Sequence, residues 1–424
     1  MVKAGGVDAV RFWAAASDSS SDVTLGDEAL ARAADALRKI RNTLRFFLGV
    51  LDGFHIITSS SNNVETSTSA SPSCALADAW SSPPITNTNL LSPLDVGFLS
   101  RLAVLDIKTR NAYETLSFSI AAHAIAAFCA RDASAQWCEA AKDRLYQGGA
   151  QERRSAQAIA WEALRVITRA LAPIAPFAAE EIYQASADAV LEGGVSKTTP
   201  MTTTIFHTVW PRPPEEWTAL TLPPSWLISS PPSHAILATS SPEMLWESLF
   251  SLRGDVARVL EMLRNEKLIG SATEAKVSIS VSRSASLLES VSFVDALALL
   301  NARPDGVSSN QLEEILGVAE AKIVWKQEAE GEGEGGSSST LTHSHSRKLD
   351  GFWKLGASGG SEGEKFTITV SPVNGGGGGG AEKISCKCAR CWKHKPEVAL
   401  SILEPKLCHR CETVLTESKV FSQA

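Results

Sequence analysis

At 424 residues and 44% apolar content, the chain is long enough for two or three domains with real cores. Its formal net charge of −7 excludes a surface coated throughout in basic groups, and no apolar run reaches the length of a membrane-spanning helix. The opening Met1-Val-Lys-Ala-Gly-Gly-Val-Asp8 lacks a signal core and Arg-rich transit character, and five of eight cysteines crowd between Cys386 and Cys411, which predicts an intracellular, reducing setting.

In chain order, a polar loop at Ser17 to Asp22 precedes a helix over 28–51, where Leu30, Leu37, Ile40, Leu44, Phe47, Leu48 and Leu51 recur at helical spacing. Residues 55–93 are rich in Ser, Thr, Asn and Pro and are predicted to be a loop or disordered insert. Two helices follow within 94–145, one carrying Leu99, Leu102, Leu105 and Ile107, the next the apolar Ile120 to Cys129. Gln151 to Gln184 is predicted as a strong helix, bent or broken at Pro173 and Pro176.

A Pro/Ser/Thr-rich connection with isolated Trp210, Trp217 and Trp226 fills 185–241. A helix from Pro242 to about Asn265 comes next, then a strand where Ala275, Val277, Ile279 and Val281 alternate. A short helix near 311–316, a strand near 321–326 and another at 365–370 follow. Glu328 to Ser339 is acidic and Gly-rich, and 375–380 is six glycines; both are predicted linkers. The fold class is therefore mainly α: a helical bundle, a small α/β piece and a terminal metal knob.

The knob is read from Cys388-Ala-Arg-Cys391 and Cys408-His-Arg-Cys411. Each C-x-x-C turn brings two thiolates to one metal, and 16 residues separate the pairs. Four sulfur ligands close the coordination shell, so one structural Zn²⁺ per chain is expected, with unrelated reduced cysteines or a redox pair as the alternatives. Cys386 is a spare. Between Lys383 and Cys411 seven Lys or Arg stand against two Glu. Arg390, Trp392, Lys393 and Arg410 beside the knuckles suit nucleic acid, although part of this charge could simply balance the thiolates.

A second basic patch lies on the first bundle helix, where Arg38, Arg41, Asn42 and Arg45 share one face opposite Ile40, Leu44 and Phe47. Such a stripe could track phosphates or be an ordinary solvated face. No Gly-rich phosphate loop, HExxH motif or nucleophile elbow occurs, so no catalytic residue is expected.

With these residues in hand, the chain resembles the C-terminal part of bacterial-type isoleucyl-tRNA synthetase, a class I aminoacyl-tRNA synthetase. The resemblance is carried by Val7-Asp-Ala-Val-Arg-Phe-Trp13, Arg38-Lys-Ile-Arg-Asn-Thr-Leu-Arg-Phe-Phe-Leu48 and Lys142-Asp-Arg-Leu-Tyr146. It continues through Glu152-Arg-Arg-Ser-Ala-Gln157, Leu171-Ala-Pro-Ile-Ala-Pro-Phe177, Asn265-Glu-Lys-Leu-Ile-Gly-Ser271 and the two cysteine knuckles, in family order. It implies a junction segment at 1–27, an anticodon-binding bundle at 28–184, a connection at 185–241 and an α/β domain at 242–327. Linkers at 328–382 and a zinc domain at 383–415 complete the expected order.

The resemblance also implies tRNA as partner, gripped by Arg38, Arg41, Asn42, Arg45, Arg153 and Arg154 on the bundle and by Arg390, Trp392, Lys393 and Arg410 on the knob. No DNA or membrane partner and a monomeric state are expected. The family's HIGH and KMSKS signatures and its editing domain are not in this sequence. ATP is thus expected only for the parent enzyme, and this chain alone is expected to be inactive. The compartment is expected to be the cytoplasm, or a mitochondrion or plastid if a targeting segment precedes Met1. A free-standing RNA-binding protein and a zinc-knuckle module for a protein partner are the alternatives.

Overall fold

The structure is a computed structural model and describes residues 2–18, 22–23, 26–54, 72–83, 85, 91–190, 202–217, 242–282, 311–326, 347–353, 364–373, 386–395, 398 and 406–421. The acidic tract at 328–339 and the six glycines lie outside the described residues. The chain divides into two compact units: Met1–Leu91, Asp95–Glu139 and Gln151–Leu220 form the first, and Ser92–Leu94, Ala140–Ala150 and Thr221–Ala424 the second. Among the described residues no helix is long and apolar enough to cross a membrane.

The first unit is helical. Helix α1 (Val2–Ala16) packs on α2 (Asp27–Val50), whose Leu37, Ile40, Leu44, Phe47 and Val50 form one buried stripe. That stripe has the 3.6-residue repeat of a half-buried helix, so its arginines are left on the solvent side. After α3 (Pro72–Ser81) come α4 (Pro93–Glu114) and α5 (Phe118–Phe128). The next helix in the chain, α6 (Glu139–Gln147), belongs to the second unit from Ala140 on; a π-helical stretch, Cys129–Cys138, precedes it. The wide turns place Trp137 against Phe98 (ring centroids 5.1 Å apart) and Phe47 (5.9 Å), with the indole N–H on Asp95 at 2.9 Å.

Helix α7 (Ala150–Leu171) ends before Pro173, and Pro176 opens α8 (Pro176–Val190). The start of α8 is capped from α1: Asp8 Oδ2 accepts the Ala178 N–H at 2.7 Å.

Two stretches expected to be loop or connection hold packed segments among their described residues, 72–83 and 202–217. Within 55–93, α3 buries Leu76, Ala79 and Trp80 completely, and Trp80 meets Trp161 and Tyr183. Its C-terminal carbonyls are taken by buried guanidiniums of α7. Arg165 donates to the oxygens of Ala79, Trp80 and Ser82, and Arg169 to Trp80. Cations at a helix C-terminus offset its exposed carbonyls. Within 185–241, Ile205 and Trp217 are buried, Trp217 donates to the Ile85 carbonyl at 2.7 Å, and Trp210 donates to Asp106 under the guanidinium of Arg110. Polar composition hid these anchors because a single tryptophan on a short turn leaves no periodic pattern.

The second unit holds α9 (Pro242–Asn265) and a four-stranded sheet of β1 (Ala275–Ser282), β2 (Glu320–Lys326), β3 (Arg347–Trp353) and β4 (Glu364–Pro372). The sheet order is β2-β1-β4-β3. β1 pairs with β2 in parallel and with β4 antiparallel, which aligns Val277 with Val370 and Ile279 with Ile368 on one buried face. The short α10 (Gln311–Leu316) lies in the crossover to β2 and stops at Gly317, whose φ of +69° suits a residue without a side chain. Helix α9 packs on α10, β3 and β4. The two-residue strands β5 (Cys386–Lys387) and β6 (His394–Lys395) and helix α11 (His409–Phe421) build the knob.

Candidate metal centre and nucleic-acid interface

The first cysteine pair sits in the turn of the β5–β6 hairpin. Trp392 N donates to the Cys388 carbonyl and Cys388 N to that of Lys393, which closes the loop around the two sulfurs. The second pair opens α11: Cys408 immediately precedes the helix and Cys411 lies in its first turn. An amide bond from Ala389 to the Lys406 carbonyl ties the two knuckles together.

This brings Cys388, Cys391, Cys408 and Cys411 to one point, with all four Sγ atoms within 4.8 Å of one another and all four residues buried. A tetrahedral metal–thiolate centre with bonds of about 2.3 Å has sulfur–sulfur edges of about 3.8 Å. Cys391 Sγ and Cys408 Sγ are 3.7 Å apart, too far for a disulfide and right for such an edge. The donor set therefore fits one tetrahedral ion with no open position.

The charge around the sulfurs fits as well. Arg390 Nη1 lies 3.8 Å from Cys411 Sγ, and Arg410 stands between Cys408 and Cys411 in the chain, so cations lie beside the sulfurs. Among the described residues, the knob's other buried apolar groups are Val398 and Leu407, with Leu415 packed against them. A metal cross-link reinforces a described core of that size. Cys386 is exposed and outside the cluster.

Composition predicts Arg390, Lys393 and Arg410 for an RNA-facing surface; the structure turns all three inward. Arg410 forks onto both oxygens of Asp143 on α6 at 2.7 Å, and Lys393 reaches the same carboxylate at 3.2 Å. Burial alone would raise the Asp143 carboxyl. The hydrogen bond from Arg410 and the nearby Lys393 charge outweigh it and hold the group well below the usual carboxylate range. Arg390 donates to the Gln147 carbonyl at 2.7 Å. Trp392 does the opposite. It is 63% exposed, stands at φ +60° and has the Lys387 ammonium 5.4 Å from its ring centroid.

On α2, Arg38, Arg41, Asn42 and Arg45 are all exposed, as the helical spacing requires. The face is less bare than its own sequence suggests. Asp35, three residues before Arg38, pairs with Arg38 and Lys39, and Glu181 from α8 bonds Arg41 at 2.7 Å. Four cations of the face, Arg38, Lys39, Arg41 and Arg45, thus meet two carboxylates. Arg153 and Arg154 lie elsewhere on the bundle: Arg153 contacts the Asp52 carbonyl at 3.4 Å, and Arg154 lies over Phe54. The residues missed from sequence are the acids, Asp143 and Glu313, since a lone carboxylate on an amphipathic helix carries no signal until its partners are placed.

Residues 95–279 match the family model for the anticodon-binding domain of tRNA ligase. They are an anticodon-binding domain of the tRNA-ligase family. The basic α2 face precedes this anticodon-binding domain in the chain, and the cysteine cluster follows it. Both fall within longer similarities to isoleucine–tRNA ligases: 28% identity over 419 residues with that of Syntrophotalea carbinolica and 27% over 421 with that of Bacillus mycoides. That of Thermosynechococcus vestitus is 28% identical over 415 residues. These matches cover 97–98% of this chain but only 33–34% of each relative, so the chain spans about a third of their length. It is homologous to the C-terminal part of those ligases.

Proposed function

We propose that this chain is the tRNA-binding part of an isoleucine–tRNA ligase, supplying recognition to the ATP-dependent joining of isoleucine to its tRNA. The observation that carries this is the similarity to isoleucine–tRNA ligases over 98% of the chain, which takes in both the helical bundle and the four-cysteine knob. ATP and isoleucine are assigned to the parent enzyme outside the matched third. The ion is assigned as one Zn²⁺ per chain, because four thiolates in a closed tetrahedral set favour it, and its part is to hold shape. The working form is a monomer in a compartment that translates, cytoplasm or organelle.

The RNA contacts divide by chemistry. Arg38, Arg41, Asn42 and Arg45 on α2, with Arg153 and Arg154, offer cations to phosphates. On the knob, Trp392 offers a stacking face, while Arg390, Lys393 and Arg410 support it from behind. A non-glycine residue at φ +60° costs about 1 kcal/mol or more, and such strain tends to persist at functional positions.

Binding of isoleucine-acceptor tRNA to the full chain at several salt concentrations tests this. Charge reversal of Arg38 and Arg41 should weaken binding and flatten its salt dependence. Trp392→Gly relieves the backbone strain, so it should leave stability unchanged or better while costing about 1–3 kcal/mol of RNA affinity. Weak, salt-insensitive binding by the unaltered chain would defeat the proposal in favour of a protein partner.

A further inference from the structure

The inward-turned cations of the knob connect its sulfur cluster to two other elements of the same unit. Arg390 touches both sides: its Nη1 bonds the Gln147 carbonyl at the end of α6 and lies 3.8 Å from Cys411 Sγ. Arg410, between Cys408 and Cys411 in the sequence, bonds Asp143 on α6 while its charge faces Cys411 and Cys391. Lys395 bonds Glu313 of α10 at 3.1 Å. Arg144, next to Asp143, bonds Glu314 of α10 at 2.6 Å. Knob, α6 and α10 form a closed triangle of ion pairs, and every side chain in these four pairs is at least four-fifths buried.

We propose that metal binding by the four cysteines and docking of the knob on α6 are one linked equilibrium, with Asp143 as the positioning residue. The inference rests on the metal reading above. Four thiolates around a divalent ion make a centre of charge −2, which holds Arg390 and Arg410 on the side of the knob that meets α6. Asp143 then receives Arg410 together with Lys393. Losing the ion removes both the cross-link between hairpin and helix and the charge that orients the two arginines. Losing Asp143 strands two buried cations without an acceptor, a cost that opposes closure of the knob. Linkage makes the two effects equal in size. The consequence is that Trp392 keeps a fixed position only when the ion is bound.

The test uses the full chain, a chelator competition for Zn²⁺, and amide hydrogen exchange. Chelation of the unaltered protein should raise exchange in residues 140–147 along with 386–395 and 406–421. Asp143→Asn should weaken Zn²⁺ binding about tenfold or more, and Lys393→Gln should weaken it less, in the same direction. A through-space effect alone would run the other way, since removing a negative charge favours a centre of charge −2. Unchanged or tighter Zn²⁺ binding by Asp143→Asn overturns the linkage, as does exchange in 140–147 that ignores the metal. The metal reading fails separately, if the unaltered chain binds no stoichiometric Zn²⁺ at all.

Discussion

Two basic regions of this protein look alike in composition and behave in opposite ways. The α2 face carries Arg38, Arg41 and Arg45 on a helix whose apolar stripe is buried, so the guanidiniums stay in solvent and their carboxylate partners, Asp35 and Glu181, are exposed pairs. The knob carries Arg390, Lys393 and Arg410 on a fragment whose described core is its cysteines with Val398 and Leu407; Lys393 and Arg410 are drawn into ion pairs with Asp143 of α6, and Arg390 onto the Gln147 carbonyl at its end. A cation on a well-packed helix is free to meet a ligand. A cation on a scaffold that must be propped up is used for the propping.

The comparison can be broken most severely at the sulfurs. Cys388→Ser or exhaustive chelation should abolish the knob's fold, because a structural Zn²⁺ site supplies about 10–16 kcal/mol of apparent binding energy. Metal analysis and loss of exchange protection over 386–421 check it, while protection in α2 should stay unchanged. Next, Asp143→Ala should destabilise the knob by about 3–5 kcal/mol, as expected for removing one partner of a buried pair. Chemical denaturation followed by exchange in α6 measures this.

On the other side, Glu181→Gln breaks an exposed pair and should cost no more than about 1 kcal/mol of stability. It should also tighten tRNA binding slightly by freeing Arg41, which anisotropy titration at low salt would detect. A stability loss there as large as that for Asp143→Ala would erase the distinction between the two regions.

Acid gives the subtlest test. The folded Asp143 carboxyl lies below its unfolded value near 3.9, so its contribution is complete above about pH 4 and is lost only as pH falls through the lower folded value. Metal release, which requires protonating thiolates, should come at higher pH than loss of this pair. In a pH titration, knob exchange should therefore follow metal content.

Much of this architecture was legible beforehand where a repeat was long enough to read. Helix α2 was visible because seven apolar residues keep one phase, and β1 because four alternate; Pro173 and Pro176 marked the break between α7 and α8. Helix α3 was not visible, since Trp80 and Leu76 sit in a polar stretch and gain their meaning from Trp161, Tyr183 and the two arginines of α7. Trp217 was readable as an isolated tryptophan, but its burial was not, for the same reason. Within the metal centre the four ligands could be read from spacing, but the outward Trp392 and the inward arginines could not.

By itself, the sequence determined the apolar stripes, the proline breaks and the two C-x-x-C turns, because each is a local constraint within one turn of helix or hairpin. Only the tertiary structure decided which charges are available. That choice depends on partners such as Asp143, 250 residues before Lys393 and 267 before Arg410, and a solvent-exposed cation and a desolvated one are spelled with the same residues.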